Sequence, residues 1–502
     1  MKLYVKMLLL VLALMMVLPL MAACNNGDNP NEKDTTDTDD VVEDTEEDTN
    51  SENPNLAPIA GEREFNILCR VYGTHYTYKY SEIEDTQETD EPVNQAVVER
   101  NYFIEEKYSI VIVPDVQNPS SIVPKLETSI LGSAGSYDIV MPMLGDCMQP
   151  AARGFLLEWD KIPFVDQTKS YWMTDIFNTT SLGGYHFFCP GDTNLSAYNT
   201  AQVAFFNKKM HKDLGLESIY DLVKAEKWTV EKMMEMGAAA GHDVTGDGNG
   251  TEDDIYGIIS ATMIWQPLFY NSGLKIVTKD ANGLPTFSGL KDNSALLYDV
   301  IEDICEVTNT HNACAITGAI GNGINGAPKF VAEEALMWIE CIYGQYEALS
   351  MESDYGIVPA PVWNEGDQFY TNIHTNFSSA SAVPINALSY ELSGSVMEDM
   401  AYYSQQMVIP EYYEKTIRLR GVRDSESFEM LDIIYEHPSC DLALVFTGLT
   451  LDADIRGLIG SNKSDVIVST LQGQIKNYEY VMGTIVTAFC NEGAKQYGLL
   501  PE

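Results

Sequence analysis

The stretch 203–234 does most to limit what this chain can fold into. It begins with four apolar residues, Val203, Ala204, Phe205 and Phe206, closed by Asn207. A run so short and so apolar predicts a strand buried on both faces, as inside a sheet covered by helices. Helical signals follow at once. Residues 208–214 give a short helix stopped by Gly215, and Ile219, Leu222 and Val223 share one face of a second. Thr229 stands where a third helix, over 230–236, needs its cap. A buried strand feeding directly into helices predicts a layered α/β body.

The same alternation opens the folded part of the chain. Residues 64–71 read as a strand, and 93–108 as a helix with Val93, Val97, Tyr102 and Ile104 at helical spacing. Residues 110–113 form a second strand that Pro114 ends, 126–131 belong to a helix, and 137–141 form a third strand. Strand–helix–strand–helix–strand is the doubly wound pattern, in which ligands sit at the carboxyl ends of the strands. Two segments are placed to reach such a site: the aromatic loop with Tyr72 and His75 after the first strand, and 145–150, with Asp146, after the third. Residues 185–190 predict a strand that leaves the first lobe, with a hinge at Pro190 and Gly191.

Length and charge set the outer frame. Met1, Lys2 and Lys6 precede an apolar run that ends in Ala22-Ala23-Cys24, a secretory signal with small residues directly before a cysteine. Residues 25–60 hold twelve acids against Lys33 alone and no aromatic residue, so they cannot bury enough surface to fold. Roughly 440 residues remain, too many for one core and suited to two lobes. The formal net charge is −44. With the tether and the leader's Lys2 and Lys6 set aside, about −35 falls on the folded body, a surface that repels nucleic acid. The remaining cysteines show no C-x-x-C pair and several lie in apolar runs, which reads as buried small hydrophobes rather than a disulfide framework.

Several segments taken together carry a family resemblance. The strand ending in Asn207-Lys208, the Gly215-Leu216 corner and Trp228-Thr229 before a helix form one. Phe330 and Ala335 ahead of an apolar strand, followed by Tyr355-Gly-Ile-Val-Pro-Ala-Pro361, form another. The chain resembles family 1 extracellular solute-binding proteins, the capture subunits of bacterial ABC importers. The end of the apolar leader is similar to a lipoprotein signal. The resemblance implies an α/β, two-lobed, type II periplasmic-binding-protein-like fold, each lobe a doubly wound sheet with helices, joined by hinge crossovers. It implies a signal peptide over 1–23, lipidation (palmitate) of Cys24, and an acidic tether over 24–60. Lobe one is expected over 61–190 plus 337–388, and lobe two over 191–336 plus 389–502.

The implied function is capture of a carbohydrate, a sugar or oligosaccharide, between the lobes and its delivery to ABC permease subunits. The protein is then a monomer, anchored by lipid on the extracellular face of the cell membrane, and not an enzyme. The alternatives are a secreted glycan-acting enzyme and a surface lectin without a transporter; the chain has no G-x-S-x-G, H-E-x-x-H or zinc spacing. Trp and Tyr near strand ends stack on sugar C–H faces while polar neighbours bond hydroxyls. On that basis Tyr72, His75, Asp146, Trp265, Trp338, Tyr343, Trp363 and His374 are the expected ligand contacts, with flat rings gripping an uncharged guest. No cofactor is required. A structural calcium ion is an open possibility in 243–254, where Asp243, Thr245, Asp247, Asn249 and Asp254 follow EF-hand spacing around Gly248. Thr245 and Asp254 depart from that pattern, and a plain Asx/Gly turn is the competing reading. Gly321–Gly326 matches G-x-G-x-x-G, but no strand precedes it, so it reads as a loop.

Overall fold

The apolar run at 203–206 becomes the second strand of a five-stranded sheet and is buried throughout. The computed structural model describes residues 52–71, 80–83, 91–132, 137–246, 248, 250–292, 294–310, 312–316, 326–413, 425–446 and 448–501. The leader, Cys24 and most of the tether lie outside the described residues. Among the described residues no helix is long and apolar enough to cross a membrane.

The first sheet is small and parallel. Its strands are β1 (Arg63–Arg70), β2 (Ile110–Gln117) and β3 (Ile139–Val140), in the order β2-β1-β3. Helix α1 (Pro92–Tyr108) crosses from β1 to β2, and α2 (Pro119–Gly132) from β2 to β3. Pro114 does not end β2. It lies within the strand, opposite Ile67. The strand is at the edge of the sheet, where a residue without an N–H need not break a ladder. Tyr102 on α1 is 61% exposed, so the buried stripe is carried by Val93, Val97 and Ile104.

The second sheet holds β4 (Gln202–Asn207), β5 (Tyr256–Ser260), β6 (Cys314–Ile316), β7 (Ala335–Cys341) and β8 (Tyr355–Pro359), in the order β8-β4-β7-β5-β6. The β8–β4 and β4–β7 pairs are antiparallel, and the pairs of β5 with β7 and β6 are parallel. Asn207 ends β4 as expected: its side chain accepts the Met210 N–H at 2.9 Å and starts the helix Lys208–Asp213. Thr229 caps α3 (Val230–Ala240) by accepting from Lys232 N–H at 3.2 Å. Trp228, fully buried, donates its indole N–H to the Pro359 carbonyl at 3.0 Å and so ties this corner to β8. After β5 comes α4 (Trp265–Tyr270), and Ser294–Val307 forms α5.

The pairing revises which lobe some segments join. Both β7 and β8 hydrogen-bond to β4, so 337–341 and 355–359 belong with the second sheet rather than lobe one. The reverse holds for α6 (Tyr390–Tyr403). Its Leu392, Val396, Met397 and Met400 pack with Phe65, Ile67, Ile104 and Tyr108 of the first sheet's layer. Tyr108 Oη also donates to Asp399 at 2.6 Å. Beyond it lie α7 (Leu451–Gly460) and the long α8 (Ile467–Gln496).

Two stretches link the lobes. Residues 185–190 are not a strand; Cys189 makes a single bridge to Ser381. The return stretch bridges Met143 with Ser379, Val140 with Ala382 and Leu156 with Pro384. Glu82, buried, clasps both stretches: it accepts from the N–H and hydroxyl of Ser196 at 2.9 and 2.6 Å and from the Ser379 hydroxyl at 2.8 Å. A buried carboxylate satisfied by several donors fixes its surroundings closely. Cys147, Cys189, Cys305, Cys314, Cys341 and Cys440 are buried thiols, as their apolar neighbours predict.

Candidate functional site

A cavity of about 230 Å³ opens where the chain leaves β3 and β5, the carboxyl ends of one strand from each sheet. Gly145 and Asp146 form one wall. Gln266 of α4 and Asp452 and Arg456 of α7 form another, Thr375 and Asn376 a third, and Phe446 lies among the residues between. Larger cavities exist elsewhere, but this one has the position that a two-sheet α/β body gives its ligand.

Backbone geometry fixes the first wall. Leu144 N–H donates to Ser378 O at 2.8 Å and Gly145 N–H to Thr375 O at 2.9 Å. A Cβ on Gly145 would stand 2.6 Å from Asn376 Oδ1 and 3.4 Å from Thr375 O, so glycine here leaves the Asn376 amide room to face the first wall. The α7 wall is organised around Asp452. One of its oxygens accepts from Trp265 Nε1 at 3.0 Å and Gln266 Nε2 at 2.9 Å; the other takes Arg456 Nε at 2.8 Å. Gln266 Oε1 in turn accepts from Asn372 Nδ2 at 3.2 Å. The result is a preset array of carboxylates, amides and one guanidinium, suited to hydroxyl groups with fixed directions.

Of the expected contacts, Asp146 lines this cavity. Tyr72 and His75 lie outside the described residues. Trp265 does not face the ligand: it is fully buried, and its part is to hold Asp452. Trp338 is core, 5.5 Å from Phe205 and 5.8 Å from Phe330 between ring centroids. Tyr343 is half-buried with its hydroxyl turned to Glu340 at 3.1 Å, and Trp363 donates its indole N–H to Leu268 O at 2.7 Å. His374 stands behind the Thr375–Asn376 wall, its Nε2 2.7 Å from Met263 Sδ. Burial pushes its imidazole down to about 4, so it is neutral at ordinary pH. The described wall is thus polar, with Phe446 as its ring, rather than a set of facing aromatics. Gln266, Asp452 and Arg456 escaped sequence reading; their one local signal is an Asp–Arg pair four residues apart on an amphipathic helix.

In the 243–254 loop, Asp243 accepts the N–H groups of Gly246 at 2.6 Å and Gly248 at 2.8 Å. Asp254 is buried and accepts from Val244 N–H and Thr251 N–H, both at 2.9 Å. Asp247 and Asn249 lie outside the described residues. Among the described residues no three His, Cys, Asp or Glu side chains converge as metal ligands.

No protein-family model and no curated protein sequence matches the chain. Solved structures do. One is an ABC substrate-binding protein from Listeria monocytogenes in complex with cycloalternan, with a TM-score of 0.53 at 12% identity over 84% of this chain and 99% of that one. This chain has the two-lobed substrate-binding-protein fold. A cyclo/maltodextrin-binding protein complexed with maltotetraose matches it with a TM-score of 0.54 at 10% identity, covering 85% and 97% of the two chains. An ABC transporter solute-binding protein from Thermotoga lettingae TMO bound with α-D-tagatose gives 0.53 at 12%, covering 84% and 100%. The near-complete coverage of those chains means that both lobes of the substrate-binding-protein fold, not one, are present here.

Proposed function

We propose that this protein captures a carbohydrate between its lobes and passes it to the permease of an ABC importer, without making or breaking a bond. The observation that carries the reading is the inter-lobe cavity of Asp146, Gln266, Asn376, Asp452 and Arg456, in a fold whose similar solved structures hold sugars. Carboxylates and amides held by their own neighbours bind sugar hydroxyls without first having to order. At about 230 Å³ the cavity is smaller than the roughly 300–1,000 Å³ of a typical small-molecule site. An oligosaccharide therefore enters an opened form, and closure around it is a hinge motion at the two linking stretches.

The leader, with Cys24 after two alanines, supports lipid anchoring on the outer face of the membrane, with the acidic tether as spacer. Mass spectrometry of the mature amino terminus tests that part; an unmodified Cys24 refutes it. The reading keeps a structural calcium ion for 243–254, supported by the Gly248 N–H held on Asp243. Heat and a raised melting temperature on adding calcium to chelated protein are the expected result. A thermal-shift screen over neutral sugars tests the main proposal. A sugar that raises the melting temperature and is recovered unchanged is expected. A sugar that is consumed points to a glycan-acting enzyme instead.

A further inference from the structure

A cavity of about 630 Å³ shares no lining residue with the inter-lobe site. Helix Thr174–Thr180 forms one side, and Lys275 to Lys279 with Tyr370, His437 and Ser439 forms the other. Two features set it apart. It gathers Lys275, Lys279 and His437 in a chain with 30 Lys and Arg against 74 Asp and Glu. And among the described residues neither lysine has an ion-pair partner. The Lys279 ammonium instead donates to Asn178 O and to Ser181 Oγ. Burial, with Lys275 adding to it, pushes that ammonium down to about 8, so a nearby anion would relieve it. Asp441 close by is spent on the N–H groups of Ala443 at 2.7 Å and Ile276 at 3.2 Å.

The cavity also has a flat wall and unspent polar groups. Tyr370 is 39% exposed, with its ring 6.1 Å from that of His437. A smaller recess of about 110 Å³ continues from it, sharing Lys275, Tyr370 and Ser439. Tyr270 walls that recess. It is only 7% exposed, and its hydroxyl has no hydrogen-bond partner. A buried hydroxyl left unpaired among the described residues is destabilising, and a ligand oxygen in the recess would relieve it.

We propose that this cavity is a second ligand site, for a sugar acid. The ring face stacks on Tyr370, the carboxylate lies between Lys275 and Lys279, and a ligand oxygen reaches Tyr270. Asp175 at the exposed side, and Glu436 at 3.9 Å from His437 Nε2, discourage a bare polyanion and favour carboxylates spaced out on hydroxylated rings, one of them between the lysines. The site does not depend on what the inter-lobe cavity binds.

Calorimetric titration of the full chain with digalacturonate, with its neutral counterpart galactobiose, and with sulfate tests this. Digalacturonate is expected to bind, and galactobiose to bind at least roughly tenfold more weakly. Lys275→Gln combined with Lys279→Gln should weaken the diacid by roughly a hundredfold, and Lys275→Arg with Lys279→Arg should restore it. Equal binding of the neutral disaccharide, binding of sulfate without binding of the diacid, or affinity indifferent to the two lysines would each overturn the proposal.

Discussion

Glu398 shows how far a single residue departs from its ordinary chemistry inside this body. It is fully buried on α6, and accepts from Tyr171 Oη at 2.6 Å and Trp172 Nε1 at 2.9 Å. Burial outweighs those bonds and pushes its carboxyl from 4.5 up to about 7. The folded state therefore holds a proton that the unfolded state has lost between those pH values. The stability it contributes is present below about 4.5 and is lost as pH rises through about 7. Chemical denaturation from pH 4.5 to 7.5 should show wild type losing stability relative to Glu398→Gln; parallel profiles would contradict this. In the inter-lobe site, Gly145→Ala would set a Cβ 2.6 Å from Asn376 Oδ1 and so turn that amide out of its place in the cavity wall. Sugar affinity should fall several-fold while Tyr102→Ala, on the exposed side of α1, changes neither binding nor stability. At this scale the sequence misled most over Trp265. A tryptophan after a strand looks like a sugar platform. Whether it is one depends on Asp452, which arrives on a helix nearly two hundred positions later, and no local pattern reports that.

Elements were more legible than side-chain roles, because apolar runs and caps are local. β1, β4, β5 and β7 are close to where their Val-, Ile- and Phe-rich runs put them, and Thr229 and Asn207 cap the helices that follow. Errors came where tertiary context decides. Pro114 stays within its strand because that strand is an edge, and 185–190 makes single bridges at Tyr185 and Cys189 rather than a ladder. The sheet that a strand joins depends on partners far along the chain. That is why 337–341 and 355–359, expected with lobe one, pair instead with β4 of the second sheet. The centre of β4 is the element on which the second sheet rests. Phe205 is fully buried there, packed against Trp338, Phe330 and Tyr355. Phe205→Ala should cost about 3–5 kcal/mol, read as a lowered denaturation midpoint with unchanged slope. A loss below about 1 kcal/mol would mean that this sheet is not packed as described.

For the molecule as a whole, two sheets of different build meet over a polar cavity, joined by two stretches that Glu82 clasps. The fold was legible from scattered motifs because a doubly wound body repeats its strand–helix signal. The identity of the guest was not, because the lining comes from five separate segments whose convergence is a property of the closed body. A capture protein must open to load and shut to hold. Small-angle scattering of the full chain, with and without the neutral sugar chosen by thermal shift, tests this most directly. The account predicts a smaller radius of gyration at saturating sugar, with Gly145→Ala reaching the same radius only at a several-fold higher sugar concentration. A saturating sugar that leaves the radius unchanged, or a screen in which no sugar binds, would contradict it.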